Sequence, residues 1–183
     1  MEQSLVQLSR TLAYALRHDP ASFGITLDDE GWVSVQDLLT ALHRRKSAWR
    51  HLGEEDFAAV IAQSDKQRYE MRDGKIRAYY GHSVAQKMTR QATTPPTILF
   101  HGTTPQAARA IQSGGLKAMK RQYVHLSAER ETALQVALRR TQRPVILQVL
   151  ALKASQQGIR FYLGNDMVWL ADHVPPEFID FGV

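Results

Sequence analysis

A chain of 183 residues with 44% hydrophobic content is long enough for one ordinary domain or two small ones, each with a packed core. It contains no cysteine, which excludes disulfides, thiolate metal sites and a cysteine nucleophile; it has no apolar run long enough to cross a bilayer, and its start, MEQSLVQLSR, lacks the basic-then-apolar layout of a secretory signal, so a cytoplasmic protein is expected. The net charge of +5 suits a polyanionic partner, but it does not come from a basic block: Lys and Arg stand 13 against 12 acids through Thr94 and 10 against 6 beyond it.

Leu5, Leu8, Leu12 and Leu16 recur at helical spacing, and Pro20 disfavours continuing the helix through Asp19. Arg17 and His18 therefore fall in the last turn of a first helix, where cations complement the macrodipole and where the same pair could also hold a phosphate. GITLDDEGWVSV reads as a short strand, an acidic Gly turn and a return; Ser34, with Asp37 three residues on, then caps a second helix over VQDLLTALHRR. Glu54-Glu55-Asp56 starts a third helix, with Phe57, Val60 and Ile61 on its apolar face. In RYEMRDGKIRAYY two alternating runs flank Asp73-Gly74, a strong hairpin signal. Three helices and a hairpin suggest a winged-helix lobe over residues 1–80. Lys66, Arg68, Arg72, Lys75 and Arg77 lie on or beside the wing, either as a polyanion surface or as an ordinary solvated hairpin, since strand residues alternate sides.

Residues 81–96 are polar, rich in small residues and closed by Pro95-Pro96, and read as a linker. From 97 to 183, TILF, YVHLS, PVILQVLAL, IRFYL and MVWL read as strands, and PQAARAIQ and AERETALQVALRR as helices. This second lobe is expected to be a mixed sheet with short helices, making the chain α+β.

Three stretches of this lobe offer chemistry. His101-Gly102-Thr103 runs from a buried strand into a helix that Thr104 caps and Pro105 begins: either an ordinary turn, or a junction where Gly102 admits a ligand to the backbone, His101 and Thr103 bond hydroxyls, and the helix start favours a pyrophosphate. His125 and Ser127 repeat the pattern, as a core histidine and a helix cap or as a second ligand junction. No closely spaced ligand pair accompanies the two histidines, and no metal is assigned. Arg139, Arg140 and Arg143 end a helix, where they either satisfy its dipole or present forked guanidinium groups to a phosphate.

Taken in order, LSRTLAYALRHDP, GITLDDEGWVSVQDLL, SDKQRYEM, IRAYYGHS, LFHGT, YVHLS, RPVILQV and VWL…VPPEFI resemble the tRNA 2′-phosphotransferase family over nearly the whole chain. The resemblance implies a winged-helix, RNA-binding lobe followed by an ADP-ribosyltransferase-like lobe. It implies an enzyme, with no metal expected, that consumes NAD to remove an internal RNA 2′-phosphate through a 2′-phospho-ADP-ribosylated RNA, yielding 2′-hydroxyl RNA, nicotinamide and ADP-ribose 1″,2″-cyclic phosphate. The family's essential residues match Arg17, His18, Arg68 and Arg139, and its NAD-facing set matches His101, Gly102, Thr103, His125 and Ser127. VALRRTQRP departs from the family's V-G-x-R-H-G-x-P, which leaves Arg139 or Arg140 as the arginine of that segment, and NDMVWL departs from N-G-V-W-L. A monomer is expected.

Two other functions fit parts of the pattern. An ADP-ribosyltransferase acting on protein or on a terminal nucleic-acid phosphate would stop after the first step; such enzymes often use a late glutamate, where this chain has Val168 with Asp166 nearby. A non-enzymatic winged-helix nucleic-acid binder with an appended ligand-sensing lobe would use the basic wing for phosphate contacts.

Overall fold

The leucine stripe forms α1 (Glu2–Arg17), which buries Leu8, Leu12 and Leu16. Past Arg17, the amides of His18 and Asp19 both return to the Tyr14 carbonyl, at 3.0 and 3.1 Å, and Pro20 has no amide to carry the helix on. This is a computed structural model; it describes residues 2–64 and 67–182, so Lys66 lies outside the described residues. The chain divides into two compact units, Met1–Thr89 and Arg90–Val183.

In the first unit a 3-10 turn (Ala21–Phe23) follows α1, and β1 (Val33–Ser34) leads into α2 (Val35–Arg45), whose first turn donates the Asp37 amide to Ser34 Oγ at 3.3 Å. The strand expected at GITLDD does not form. Asp28 instead closes the acidic turn on itself, its carboxylate accepting from the Trp32 and Glu30 amides at 2.8 and 3.1 Å, so this stretch has no need of a ladder partner. After α3 (Glu54–Ala62), β2 (Tyr69–Arg72) and β3 (Lys75–Ala78) form the expected hairpin. Asp73 and Gly74 both have positive φ, +52° and +70°, as a two-residue primed turn requires. The sheet order is β1-β3-β2, and Leu38, Leu42, Phe57 and Ile76 join the α1 leucines in one core.

The second unit contains β4 (Leu99–Thr103), α4 (Pro105–Gly114), β5 (Leu116–Lys117), β6 (Val124–Ser127), α5 (Arg130–Leu138), β7 (Val145–Val149), α6 (Ala151–Gln156), β8 (Phe161–Asn165), β9 (Val168–Ala171), β10 (His173–Val174) and β11 (Ile179–Asp180). Thr104 caps α4, accepting from the Ala107 amide at 3.2 Å, with Pro105 in the first turn. Six strands pair in the order β11-β7-β4-β6-β9-β8, and β5 pairs with β10 separately. Every pairing is antiparallel, where a mixed sheet was expected. The reason lies in the α5 crossover: β6 and β7 run parallel to each other, but β4 lies between them and opposes both. Among the described residues, no helix is long and apolar enough to cross a membrane.

Candidate functional site

In the first unit the site is built from the end of α1 outward. The Arg17 guanidinium lies against two rings, 5.6 Å from the Tyr69 centroid and 5.2 Å from that of Tyr80, and its Nη2 donates to the Arg68 carbonyl at 3.3 Å. That carbonyl also accepts from the Tyr79 amide at 3.0 Å, so the start of the hairpin fixes where Arg17 can lie. The Arg68 side chain donates to Ser64 Oγ at 3.1 Å. Burial raises the Tyr69 phenol above its ordinary value, opposed by the charges of Arg17 and Arg68, and its hydroxyl donates to the Ser9 carbonyl at 2.6 Å. Exposed His18 places Nδ1 2.8 Å from Ser83 Oγ.

The structure thus brings Arg17, His18 and Arg68 into one neighbourhood and adds residues that sequence reasoning missed. Ser83 acts twice, because its amide also donates to the Arg17 carbonyl at 2.8 Å and so satisfies one of the open carbonyls of the helix end. Gly81, at φ +91°, brings the chain alongside Arg17; a Cβ there would stand 3.6 Å from its Cδ and Nη1. The signal was the IRAYYGHS string itself, whose glycine and serine follow a strand without a turn of their own.

Among the described residues, the other wing cations, Arg72, Lys75 and Arg77, are engaged within the hairpin and the acidic turn. Arg77 bonds Glu70 at 2.7 Å and Glu30 at 3.3 Å while lying 4.3 Å from the Trp32 ring. Lys75 pairs with Asp28 at 3.6 Å, and Arg72 with its neighbour Asp73 at 3.5 Å. Of the two readings of the wing, this pairing favours the ordinary one for Arg72, Lys75 and Arg77, and leaves Arg68 apart from them.

In the second unit the expected ligand set occupies adjacent strands but two faces. Phe100 stands opposite Ser127, so alternation puts His101 and Thr103 on the face of Leu99, and Gly102, His125 and Ser127 on the other. On that other face a Cβ at Gly102 would overlap the Ala133 carbonyl of α5 and stand 3.0 Å from Ala137 Cβ, so glycine here lets the helix seat on the strand. Ser127 is buried and caps nothing: α5 begins after Glu129, without a side-chain cap. His101 Nδ1 lies 2.9 Å from the His125 carbonyl, and His125 Nδ1 lies 3.0 Å from the Tyr123 carbonyl. Carbonyls only accept, so both Nδ1 atoms carry the proton, and in the neutral rings Nε2 is the acceptor. Burial lowers the His101 pKa, the bond to His125 raises it and the charge of Arg140 lowers it, for a net lowering that keeps the ring neutral at physiological pH.

Arg139 is the exposed residue at which α5 ends, and the charge that reaches His101 belongs to Arg140. Asn165 folds the β8–β9 turn, its Oδ1 accepting from the Met167 and Val168 amides at 3.0 and 2.8 Å, which keeps Asp166 within a two-residue connection. Among the described residues, no group of three or more His, Asp or Glu is arranged to hold a metal ion.

Comparison with known proteins yields one family whose model matches residues 3–173, described as "RNA 2'-phosphotransferase, Tpt1 / KptA family". A protein of Acetivibrio thermocellus named probable RNA 2'-phosphotransferase is 50% identical over 175 residues, 96% of either chain. Proteins of the same name are 47% identical in Bacillus thuringiensis subsp. konkukian, over 94% of this chain and 92% of the relative, and 42% identical in Rhizobium rhizogenes, over 94% and 91%.

Proposed function

The chain belongs to the RNA 2'-phosphotransferase, Tpt1 / KptA family, a transferase by that membership, and from this we propose that it removes an internal RNA 2′-phosphate with NAD as the consumed co-substrate. The observation that carries the reading is the cluster at the end of α1, where Arg17 donates to the Arg68 carbonyl and Ser83 holds His18 beside them. Two guanidinium groups and an imidazole match a dianionic phosphate in charge and in donor geometry. In this reading residues 1–80 form a winged-helix, RNA-binding lobe, 81–96 a linker and 97–183 an ADP-ribosyltransferase-like, NAD-binding lobe, working as a cytoplasmic monomer.

The reaction has two steps. An oxygen of the RNA 2′-phosphate attacks the anomeric carbon of the nicotinamide ribose, and nicotinamide leaves with the bonding pair. The ribose 2″-hydroxyl then attacks phosphorus, and the RNA 2′-oxygen leaves and takes up a proton, giving ADP-ribose 1″,2″-cyclic phosphate. The first nucleophile is already an anion and needs no strong base, so Arg17 and Arg68 serve chiefly to orient it. In the second step charge builds on the phosphoryl oxygens, where fixed arginines contribute most. Arg139 is assigned to that step with Arg17 and Arg68, and His18 donates a hydrogen bond or moves the proton.

The second unit offers a set suited to a dinucleotide. Neutral His101 supplies an acceptor for a ribose hydroxyl and Thr103 a hydroxyl from one face of the sheet, His125 Nε2 and the Ser127 hydroxyl lie on the other, and Gly102 fixes the strand between His101 and Thr103. The α4 start adds the partial positive charge that favours a pyrophosphate. The test is to incubate the protein with NAD and a short RNA bearing one internal 2′-phosphate and to resolve the products by mass. NAD-dependent 2′-hydroxyl RNA with the cyclic phosphate is expected; unchanged RNA with folded protein would refute the reading.

A further inference from the structure

Apart from the Arg17 cluster, the densest run of cations in the first unit is at the end of α2. Residues 43–51, HRRKSAWRH, hold four Lys or Arg, two His and no acid. Unlike the wing cations, Arg44 and Arg50 are exposed and have no ion pair among the described residues. Arg45 lies 4.2 Å from the Phe23 ring and donates to the Ser22 carbonyl at 2.8 Å, so it is held in place rather than free to fold back.

Rings connect this basic end to His18. The Phe23 centroid is 6.2 Å from that of Tyr14, and Tyr14 is 6.2 Å from the His18 imidazole. Tyr14 is 46% exposed, while Phe23 beneath is buried. The Asp19 carboxylate sits along the same strip, accepting from the Tyr14 hydroxyl at 3.3 Å and from the Ser22 amide at 3.1 Å.

We propose that the strip from His18 over Tyr14 to Arg44 and Arg45 is a track for the RNA strand on one side of the 2′-phosphorylated nucleotide. The neighbouring base stacks on Tyr14, and a backbone phosphate beyond it meets the end of α2. The inference rests on the reading that His18 and Arg17 hold the 2′-phosphate. The sequence of charges along the strip decides which part of the RNA goes where. Asp19 repels a phosphate at the middle of the strip but not an uncharged base, and cations stand at both ends. An exposed ring between cations is the arrangement that binds single strands without reading sequence, since every base has a π-face.

The test is fluorescence anisotropy without NAD, using a hexaribonucleotide with one internal 2′-phosphate, a dinucleotide with the same 2′-phosphate, and the hexamer lacking it. Wild-type protein should bind the phosphorylated hexamer at least about fivefold more tightly than the dinucleotide. Tyr14→Ala should remove most of that advantage and Tyr14→Phe should keep it, because the ring remains. Arg44→Gln, at an exposed position that leaves the Arg45–Phe23 contact intact, should lower the slope of log affinity against log salt by about one. If Tyr14→Ala and Arg44→Gln keep the wild-type hexamer-to-dinucleotide ratio while loss of the 2′-phosphate still weakens binding, the track is refuted and the phosphate reading stands. If loss of the 2′-phosphate changes nothing, the phosphate reading fails and the track falls with it.

Discussion

Ser83→Ala isolates one hydrogen bond on which the proposed chemistry depends. The substitution removes Oγ, 2.8 Å from His18 Nδ1, but keeps the Ser83 amide that donates to the Arg17 carbonyl. The end of α1 and the Arg17 guanidinium therefore stay in place, and only the imidazole loses an anchor. A net hydrogen bond of about 0.5–1.5 kcal/mol, lost where orientation matters to the transition state, corresponds to a rate lower by about 2- to 10-fold. Single-turnover measurements with NAD and a 2′-phosphorylated RNA should show that loss with the KM for NAD unchanged and with Tm near the wild-type value. Long-range proton–nitrogen NMR should show the His18 tautomer balance shifting, and Ser83→Thr, which restores a hydroxyl, should recover both rate and spectrum. A Ser83→Ala protein with wild-type rate and an unchanged imidazole spectrum, or a threonine variant no better than alanine, would refute the positioning role.

Gly102→Ala should destabilise the second unit by about 3 kcal/mol, at the upper end for overpacking because the obstacle is the Ala133 backbone, and lower Tm by more than about 10 °C; calorimetry showing less than a few degrees would mean that α5 yields easily. Arg139→Ala should build up 2′-phospho-ADP-ribosylated RNA in a rapid-quench time course, and if Arg140→Ala does so instead, the assignment moves by one residue. His101 has a folded pKa below its ordinary 6.5, so as pH falls from about that value the unfolded chain takes up the proton first and stability declines; His101→Gln should flatten this part of the urea-midpoint curve between pH 7.5 and 5.5. An unchanged slope in that variant would show that other groups set the acid side.

What could be read from the sequence depended on how far apart in the chain the interacting residues lie. The end of α1, the Ser34 and Thr104 caps and the Asp73-Gly74 turn are each specified within a few residues, so local patterns found them. The missing strand at GITLDD is the instructive failure at short range. The stretch read as a short strand before an acidic turn, but Asp28 could satisfy two amides of its own turn and the strand lost its reason to pair. The antiparallel sheet failed differently, because nothing within α5 says that β4 will enter between the two strands it joins.

The site divides along the same line. Arg17 and His18 were visible because they end a periodic helix beside a proline, whereas their support comes from residues 51 to 65 positions away, the Arg68 carbonyl and Ser83. The wing shows the converse. Five like charges in a short stretch left a polyanion surface and an ordinary solvated hairpin both open, and the acids that occupy Arg77 and Lys75 come from Glu30, Glu70 and Asp28, two of them more than forty residues earlier in the chain. Charge composition alone therefore misleads wherever a hairpin folds back on an acidic turn, and the cations left to meet RNA are those whose surroundings contain no such partner. By that criterion the surface to probe is the end of α2, where nine consecutive residues carry no acid at all.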